Sequence, residues 1–341
     1  MSFMLQLNNT ALTYDDISLV PEYSEIESRS TIDLTTQITK NRSITIPLIA
    51  SPMDTVCGAE MAIAMAKLGG IGCIHRFMTI DEQAQAVIDV LTGTTFYHPI
   101  MAAIGANGDY LERAQELESS GAEILLIDVA HGHHIHVKRA IETLKKTLPS
   151  HIEIVAGNVA TGNAANDLAD WGADGLRVGI GGGSLCTTRI KTGFGVPNVT
   201  SLYEASKYTT IPVWACGGIR NSGDMAKAFA LGASAVVLGS LLAGTKESPG
   251  PVIERGNGLF KRYRGAASLE TKVTHGQSTR NVEGESTVVP FKGAVKYVVE
   301  GLLDGVRSAL SYAGSGDLKS FNPKIVQVTG AGISEAKPHL L

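Results

Sequence analysis

The sequence predicts an α/β fold, a closed (β/α)8 barrel of the TIM type, and three observations carry that expectation. Short apolar segments bounded by glycine recur at 46–51, 70–75, 99–104, 124–130, 153–159, 175–181, 212–218 and 235–239. They are mostly continuous apolar runs, as expected of parallel strands covered on both faces. Amphipathic stretches of helical period lie between them at 59–68, 79–91, 110–119, 136–148, 163–171 and 224–231. Eight strand–helix units favour a ring over the alternative, a doubly wound open sheet. The 341 residues suit one catalytic barrel domain spanning the chain.

In order, residues 1–45 form an N-terminal extension with a short hairpin, which brings Tyr14-Asp15-Asp16 near the barrel mouth. A barrel does its chemistry on the loops after the C-terminal ends of its strands. Those ends carry Ser51-Pro52-Met53-Asp54, His75-Arg76, Asp128-Val129-Ala130-His131, Gly157-Asn158, Gly217-Gly218-Ile219-Arg220 and Gly239-Ser240. The sixth strand leads into 179–189, Gly-Ile-Gly-Gly-Gly-Ser-Leu-Cys-Thr-Thr-Arg. Beyond the eighth strand, 258–290 contains Tyr263-Arg264-Gly265 and a polar run from Leu269 to Asn281, and is expected to be a mobile flap. Residues 291–341 supply a C-terminal helix, near 294–312, and a tail.

Composition narrows the function. The chain is 44% hydrophobic and 18% charged, with a net charge of −4, which leaves no basic footprint for nucleic acid. Cys57, Cys73, Cys186 and Cys216 are scattered, without metal-ligand spacing, as expected of free thiols in a reducing compartment. The first residues, Met-Ser-Phe-Met-Leu-Gln-Leu-Asn-Asn, lack a basic leader, and no apolar run approaches the roughly 20 residues that cross a bilayer. A cytoplasmic protein without a membrane partner is expected.

The strand-end residues suggest chemistry. Ser184, Gly217-Gly218 and Gly239-Ser240 lie on adjacent strand ends, where backbone N–H groups and a hydroxyl bind a phosphate monoester. Cys186, in a glycine-bordered loop followed by Arg189, is the candidate nucleophile. Cys57 and Cys73 are read as structural. His131-Gly132-His133-His134-Ile135-His136 is read as a loop entering a helix rather than a metal site. Asp128 could accept ribose hydroxyls or hold a cofactor amide.

Ser51-Pro52-Met53-Asp54-Thr55, the loop 179–189, Gly217-Gly218-Ile219-Arg220 with Gly223-Asp224, and Tyr263-Arg264-Gly265 together resemble the IMP dehydrogenase and GMP reductase family. The resemblance runs from about Leu12 to the C-terminus, and the cysteine loop is its most specific part. It implies a tetrameric barrel that binds a purine nucleoside monophosphate, with Cys186 attacking purine C2 to form a thioimidate and a nicotinamide cofactor exchanging hydride there. It implies that Ser51, Met53, Ser184, Cys216, Gly217, Gly218, Gly239, Ser240, Tyr263 and Gly265 surround the nucleotide. Arg76, Asp128, Ala130 and Asn158 are expected around the cofactor. The carbonyls of Gly181, Gly183 and Cys186 would hold a monovalent cation, K+.

Within the family, the sequence resembles the reductases most. Only Met78 to Tyr97 separates the second and third strands, so the regulatory (CBS) modules usual in dehydrogenases have no place. In its polar part, from Leu269 on, the flap lacks the adjacent Arg-Tyr pair that activates hydrolytic water in dehydrogenases, since Arg280 is followed by Asn281. By resemblance Glu283 is the acid/base and Thr188 its relay. The implied reaction is NADPH-dependent reductive deamination of GMP to IMP and ammonia, with NADH as the alternative reductant. An IMP dehydrogenase without CBS modules is the runner-up, supported by the tail Gly330-Ala331-Gly332-Ile333-Ser334-Glu335; a non-catalytic nucleotide sensor is a third reading. One departure bears on the sugar. Where the family has an aspartate that accepts ribose hydroxyls, this chain has Cys216, a weak uncharged acceptor, so dGMP is an expected substrate beside GMP.

Overall fold

A computed structural model describes residues 10–276 and 278–336; Met1–Asn9, read above for a leader, lie outside the described residues. Eight parallel strands close a barrel: β1 (Leu48–Ala50), β2 (Ile71–Ile74), β3 (Met101–Ile104), β4 (Ile124–Asp128), β5 (Glu153–Val159), β6 (Gly175–Val178), β7 (Val213–Cys216) and β8 (Ala235–Leu238). The last strand pairs with the first, Val236 beside Leu48 and Leu238 beside Ala50, which closes the ring. The open-sheet alternative is therefore excluded.

Along every strand but β6, whose inward face carries Gly175 and Arg177, the side chains alternate between two cores. Ile49, Cys73, Met101, Ala103, Leu126, Val155 and Val237 fill the barrel interior. Their strand neighbours Leu48, Ala50, Ile74, Ala102, Ile104, Leu125 and Val236 face the surrounding helices. Both sets are apolar, which is why these strands read as continuous runs.

The helices begin and end where local chemistry dictates. α1 (Ala59–Leu68) stops at Gly69, whose φ of +89° suits the left-handed cap. α2 (Ile80–Gly93) starts with a Thr79–Glu82 capping box and alone fills the connection from β2 to β3, leaving no room for an inserted module. α3 (Tyr110–Ser119), α4 (Ile135–Thr147) and α5 (Gly162–Asp170) follow the next three strands. After β6 comes a single turn, α6 (Thr188–Thr192), and then α7 (Asn198–Tyr208). α7 escaped the periodicity reading because it is rich in hydroxyl and β-branched residues of low helix propensity, yet it buries Val199, Leu202 and Ala205. α8 (Ser222–Ala230) completes the ring, capped by Asn221.

Short strands at Thr36–Gln37 and Ser43–Ile44 form the expected hairpin, and Ile38 and Ile44 seal the barrel floor. The Trp214 indole, fully buried, donates to the Ile38 carbonyl at 2.7 Å. At the opposite end Arg220 grips Asp15, so the Tyr14 turn borders the mouth.

The region after β8 has regular structure of its own. β9 (Ile253–Arg255), β10 (Gly258–Arg264) and β11 (Ser286–Pro290) form an antiparallel sheet. Between β10 and β11, α9 (Leu269–Thr274) is capped by Ser268. α10 (Val295–Tyr312) packs against α8, and α11 (Gly330–Glu335) ends the described chain. Among the described residues no helix is long and apolar enough to cross a membrane.

Trp214→Ala removes both the largest interior side chain and the bond to Ile38. It should cost roughly 3–5 kcal/mol, read as a lower denaturant midpoint.

Candidate active site

One cavity of about 550 Å³ opens at the C-terminal ends of the strands, a volume suited to a mononucleotide and part of a second ligand. Its wall is assembled from the strand-end loops and the underside of the flap.

The loop after β6 presents Cys186. Gly179, at a φ of +134°, lies so close to β7 that a Cβ there would stand 2.0 Å from the Cys216 carbonyl. Gly217 likewise faces Gly182, and the Asn198 side-chain amide ties down its carbonyl. The glycines thus let two backbone loops touch.

A hydrogen-bonded chain leaves the thiol. Cys186 Sγ lies 3.2 Å from Thr188 Oγ1, which donates to Glu283 Oε2 at 2.8 Å. Backbone bonds fix the flap there: Thr187 N donates to Glu283 O at 3.0 Å, and Glu285 N to Leu185 O at 2.9 Å. A carboxylate 95 residues further along the chain is thereby held at relay distance from the thiol.

Next to the thiol, Gly217-Gly218 and Gly239-Ser240 offer backbone groups at neighbouring strand ends. Ser184 Oγ and Tyr263 OH stand 3.1 Å apart, and burial raises the Tyr263 pKa, keeping it a neutral phenol. A Cβ on Gly239 would meet Tyr263 OH at 3.2 Å and Met53 Sδ at 3.3 Å, so these groups converge. Lys292, after β11, donates to the carbonyls of Ser240 and Leu241.

The floor of the cavity is charged. Arg177, on β6 and only 8% exposed, donates to Asp128 Oδ1 at 2.5 Å, to Cys216 Sγ at 3.2 Å and to Ser51 Oγ at 3.3 Å. Asp128, expected to receive a ligand, thus already engages a buried guanidinium.

On the far side, the Arg76 guanidinium lies 5.3 Å from the Phe77 ring centroid, and its Nε is buried with no hydrogen-bond partner among the described residues. Asn158 Nδ2 donates to Gly179 O at 2.6 Å. A second cluster fastens the flap to the barrel: Asp54 Oδ2 accepts from Arg264 at 2.6 and 2.9 Å and lies 2.9 Å from His275 Nε2.

All the residues expected around nucleotide, cofactor and cation line this one cavity with Cys186, Thr188 and Glu283. Gly183 O already accepts from Cys186 N at 3.1 Å. The histidine-rich stretch is used otherwise: His133 meets Asp167 at 2.8 Å and stacks on Trp171, while His134 caps α4. Sequence reasoning missed Arg177, although a lone charge inside an apolar strand, Gly-Leu-Arg-Val, was a legible signal. It also missed Phe77 and Lys272, both on the cavity wall.

Residues 11–339 match the family model described as the IMP dehydrogenase / GMP reductase domain. The chain is 37% identical to an inosine-5'-monophosphate dehydrogenase of Borreliella burgdorferi, with 98% of each covered. It is 36% identical to that of Cryptosporidium parvum, covering 96% of this chain and 94% of the relative. Among solved structures, a GMP reductase variant of Trypanosoma brucei in complex with guanosine 5'-monophosphate superposes with a TM-score of 0.92 at 28% identity, covering 97% of this chain and 98% of that one.

His75 carries a pH prediction. Its Nδ1 accepts from Phe77 N at 3.2 Å, and burial lowers its pKa from 6.5 to about 4. The folded protein holds it neutral while the unfolded chain protonates it, so stability falls as pH drops from 6.5 toward 4. Denaturant titrations between these limits should show a shallower fall for His75→Gln than for the wild type.

Proposed function

The chain belongs to the IMP dehydrogenase / GMP reductase family, whose members are NAD(P)-dependent oxidoreductases, and we propose that within it this protein is a GMP reductase. The proposed reaction is reductive deamination at purine C2 of a guanine nucleoside monophosphate. The observation that carries this reading is the Glu283–Thr188–Cys186 chain in a flap where, beyond Leu269, Arg280 is followed by Asn281 and no Arg-Tyr pair occurs. Without that pair, reduction rather than hydrolysis is the expected fate of an intermediate on Cys186.

The residues act as follows. With the phosphate at Gly217-Gly218 and Gly239-Ser240, the base reaches Cys186. The thiol passes its proton through Thr188 to Glu283 as sulfur bonds to C2. Glu283 returns that proton to the exocyclic amine, the C2–N bond breaks, and ammonia leaves a thioimidate. A reduced nicotinamide cofactor, NADPH or alternatively NADH, supplies the hydride at C2 when bound. The C2–S bond then breaks, Cys186 recovers a proton, and the inosine nucleotide is released. The overall change is GMP + NADPH + H+ to IMP + NH3 + NADP+. Arg76, Asp128, Ala130 and Asn158 would hold the cofactor; the unpartnered buried Arg76 Nε is the feature that fits it, a donor awaiting an acceptor.

In the same reading K+ would bind the carbonyls of Gly181, Gly183 and Cys186, and the enzyme would be a cytoplasmic homotetramer. Exposed Ile190, Phe194 and Tyr297 support subunit contacts, and four unpaired cysteines support a reducing compartment.

A second reading, dehydrogenation of IMP with NAD, has its own support. The curated relatives above are named inosine-5'-monophosphate dehydrogenases, as is one from Nitrosopumilus maritimus at 33% identity. The relatives' names weigh toward this second reading; the flap chemistry weighs toward the first.

The two readings separate in an absorbance assay. Guanine nucleotide should drive NADPH consumption, whereas NADH formation from IMP, without NADPH consumption, would overturn the reductase. Cys186→Ser should abolish turnover while nucleotide still binds, and Glu283→Gln should lower kcat by about 10²–10⁴-fold.

A further inference from the structure

We propose that the site takes a 2'-deoxyribonucleotide in preference to a ribonucleotide, with Cys216 as the specificity-determining residue. The inference rests on the nucleotide placement above but not on the direction of hydride transfer. A base over Cys186 and a phosphate at Gly217-Gly218 and Gly239-Ser240 leave the sugar over the ends of β7 and β1, where Cys216 and Ser51 line the cavity.

A ribose presents two neighbouring O–H donors there, and a buried hydroxyl needs an acceptor. Arg177 already draws on the acceptors at this floor: Asp128, through Oδ1, at 2.5 Å, Cys216 Sγ at 3.2 Å and Ser51 Oγ at 3.3 Å. Among the described residues the only other carboxylate lining the cavity, Glu283, receives the Thr188 hydroxyl. A 2'-hydroxyl could accept from Arg177, but its own proton would meet sulfur, a weak acceptor. A 2'-methylene makes no such demand and suits a soft, polarizable thiol surface.

Leaving one hydroxyl proton unsatisfied disfavours the ribonucleotide by about tenfold or more. The experiment compares kcat/KM for dGMP and GMP with NADPH, and for dIMP and IMP with NAD, in the wild type and in Cys216→Asp. A deoxy-to-ribo ratio above about three in whichever pair turns over supports the proposal, and a ratio of about three or below overturns it. If only the inosine pair reacts, the reductase reading fails while the sugar preference is still decided. Cys216→Asp should raise kcat/KM for the ribonucleotide by about tenfold and reverse the preference. An unchanged ratio in a folded variant removes Cys216 from the role. Should that variant not fold, Cys216→Ser should shift the ratio the same way by less, and the wild-type ratio still decides the preference.

Discussion

Closure of the parallel sheet is the constraint on which everything else depends. When β8 pairs with β1, eight C-terminal strand ends are forced into one ring, and residues from Ser51 to Ser240 come to share one cavity. Closure rests on apolar side chains, inward to fill the barrel and outward to seat the helices, on both faces of every strand but β6, whose inward face carries Gly175 and Arg177. It also needs a plug at the floor, which the Ile38–Ile44 hairpin under Trp214 supplies. The mouth is then free to carry polar and glycine-rich loops without loss of core.

This division explains what was legible in the sequence. Strands buried on both faces announce themselves as short apolar runs, and the helices over 59–68 and 110–119 have the bounds their periodicity suggests. Strand-end residues could be gathered at one mouth because the barrel puts them there. What escaped depends on partners far along the chain. Arg177 acquires its role from Asp128, Ser51 and Cys216, 39 to 126 residues away. The Asp54–Arg264–His275 cluster spans more than 200 residues, and no local pattern foreshadows it. Polar composition also gave no sign of a helix within the expected flap: Ser268 caps Leu269–Thr274, and Lys272 bonds to the carbonyls of Arg280 and Asn281.

The cysteine loop identifies the family without choosing the reaction. Its glycines serve close backbone approach, which any chemistry on Cys186 requires. The flap makes the difference, because it decides what stands opposite the thiol. Here it brings a carboxylate through a threonine hydroxyl, an arrangement suited to moving a proton between sulfur and a leaving amine. Below it, Arg177 orders the floor and draws the available acceptors toward itself, so relay and floor govern different parts of one ligand.

Mass spectrometry of the intact protein tests the central chemistry most directly. The protein would be incubated with GMP or dGMP and oxidised cofactor, which cannot donate hydride. The proposed chemistry predicts an adduct on Cys186 equal to the nucleotide less ammonia, absent in Cys186→Ser and discharged as the inosine nucleotide when NADPH replaces the oxidised form. An adduct formed only from IMP or dIMP with NAD, and released by water as the xanthine nucleotide, would contradict it.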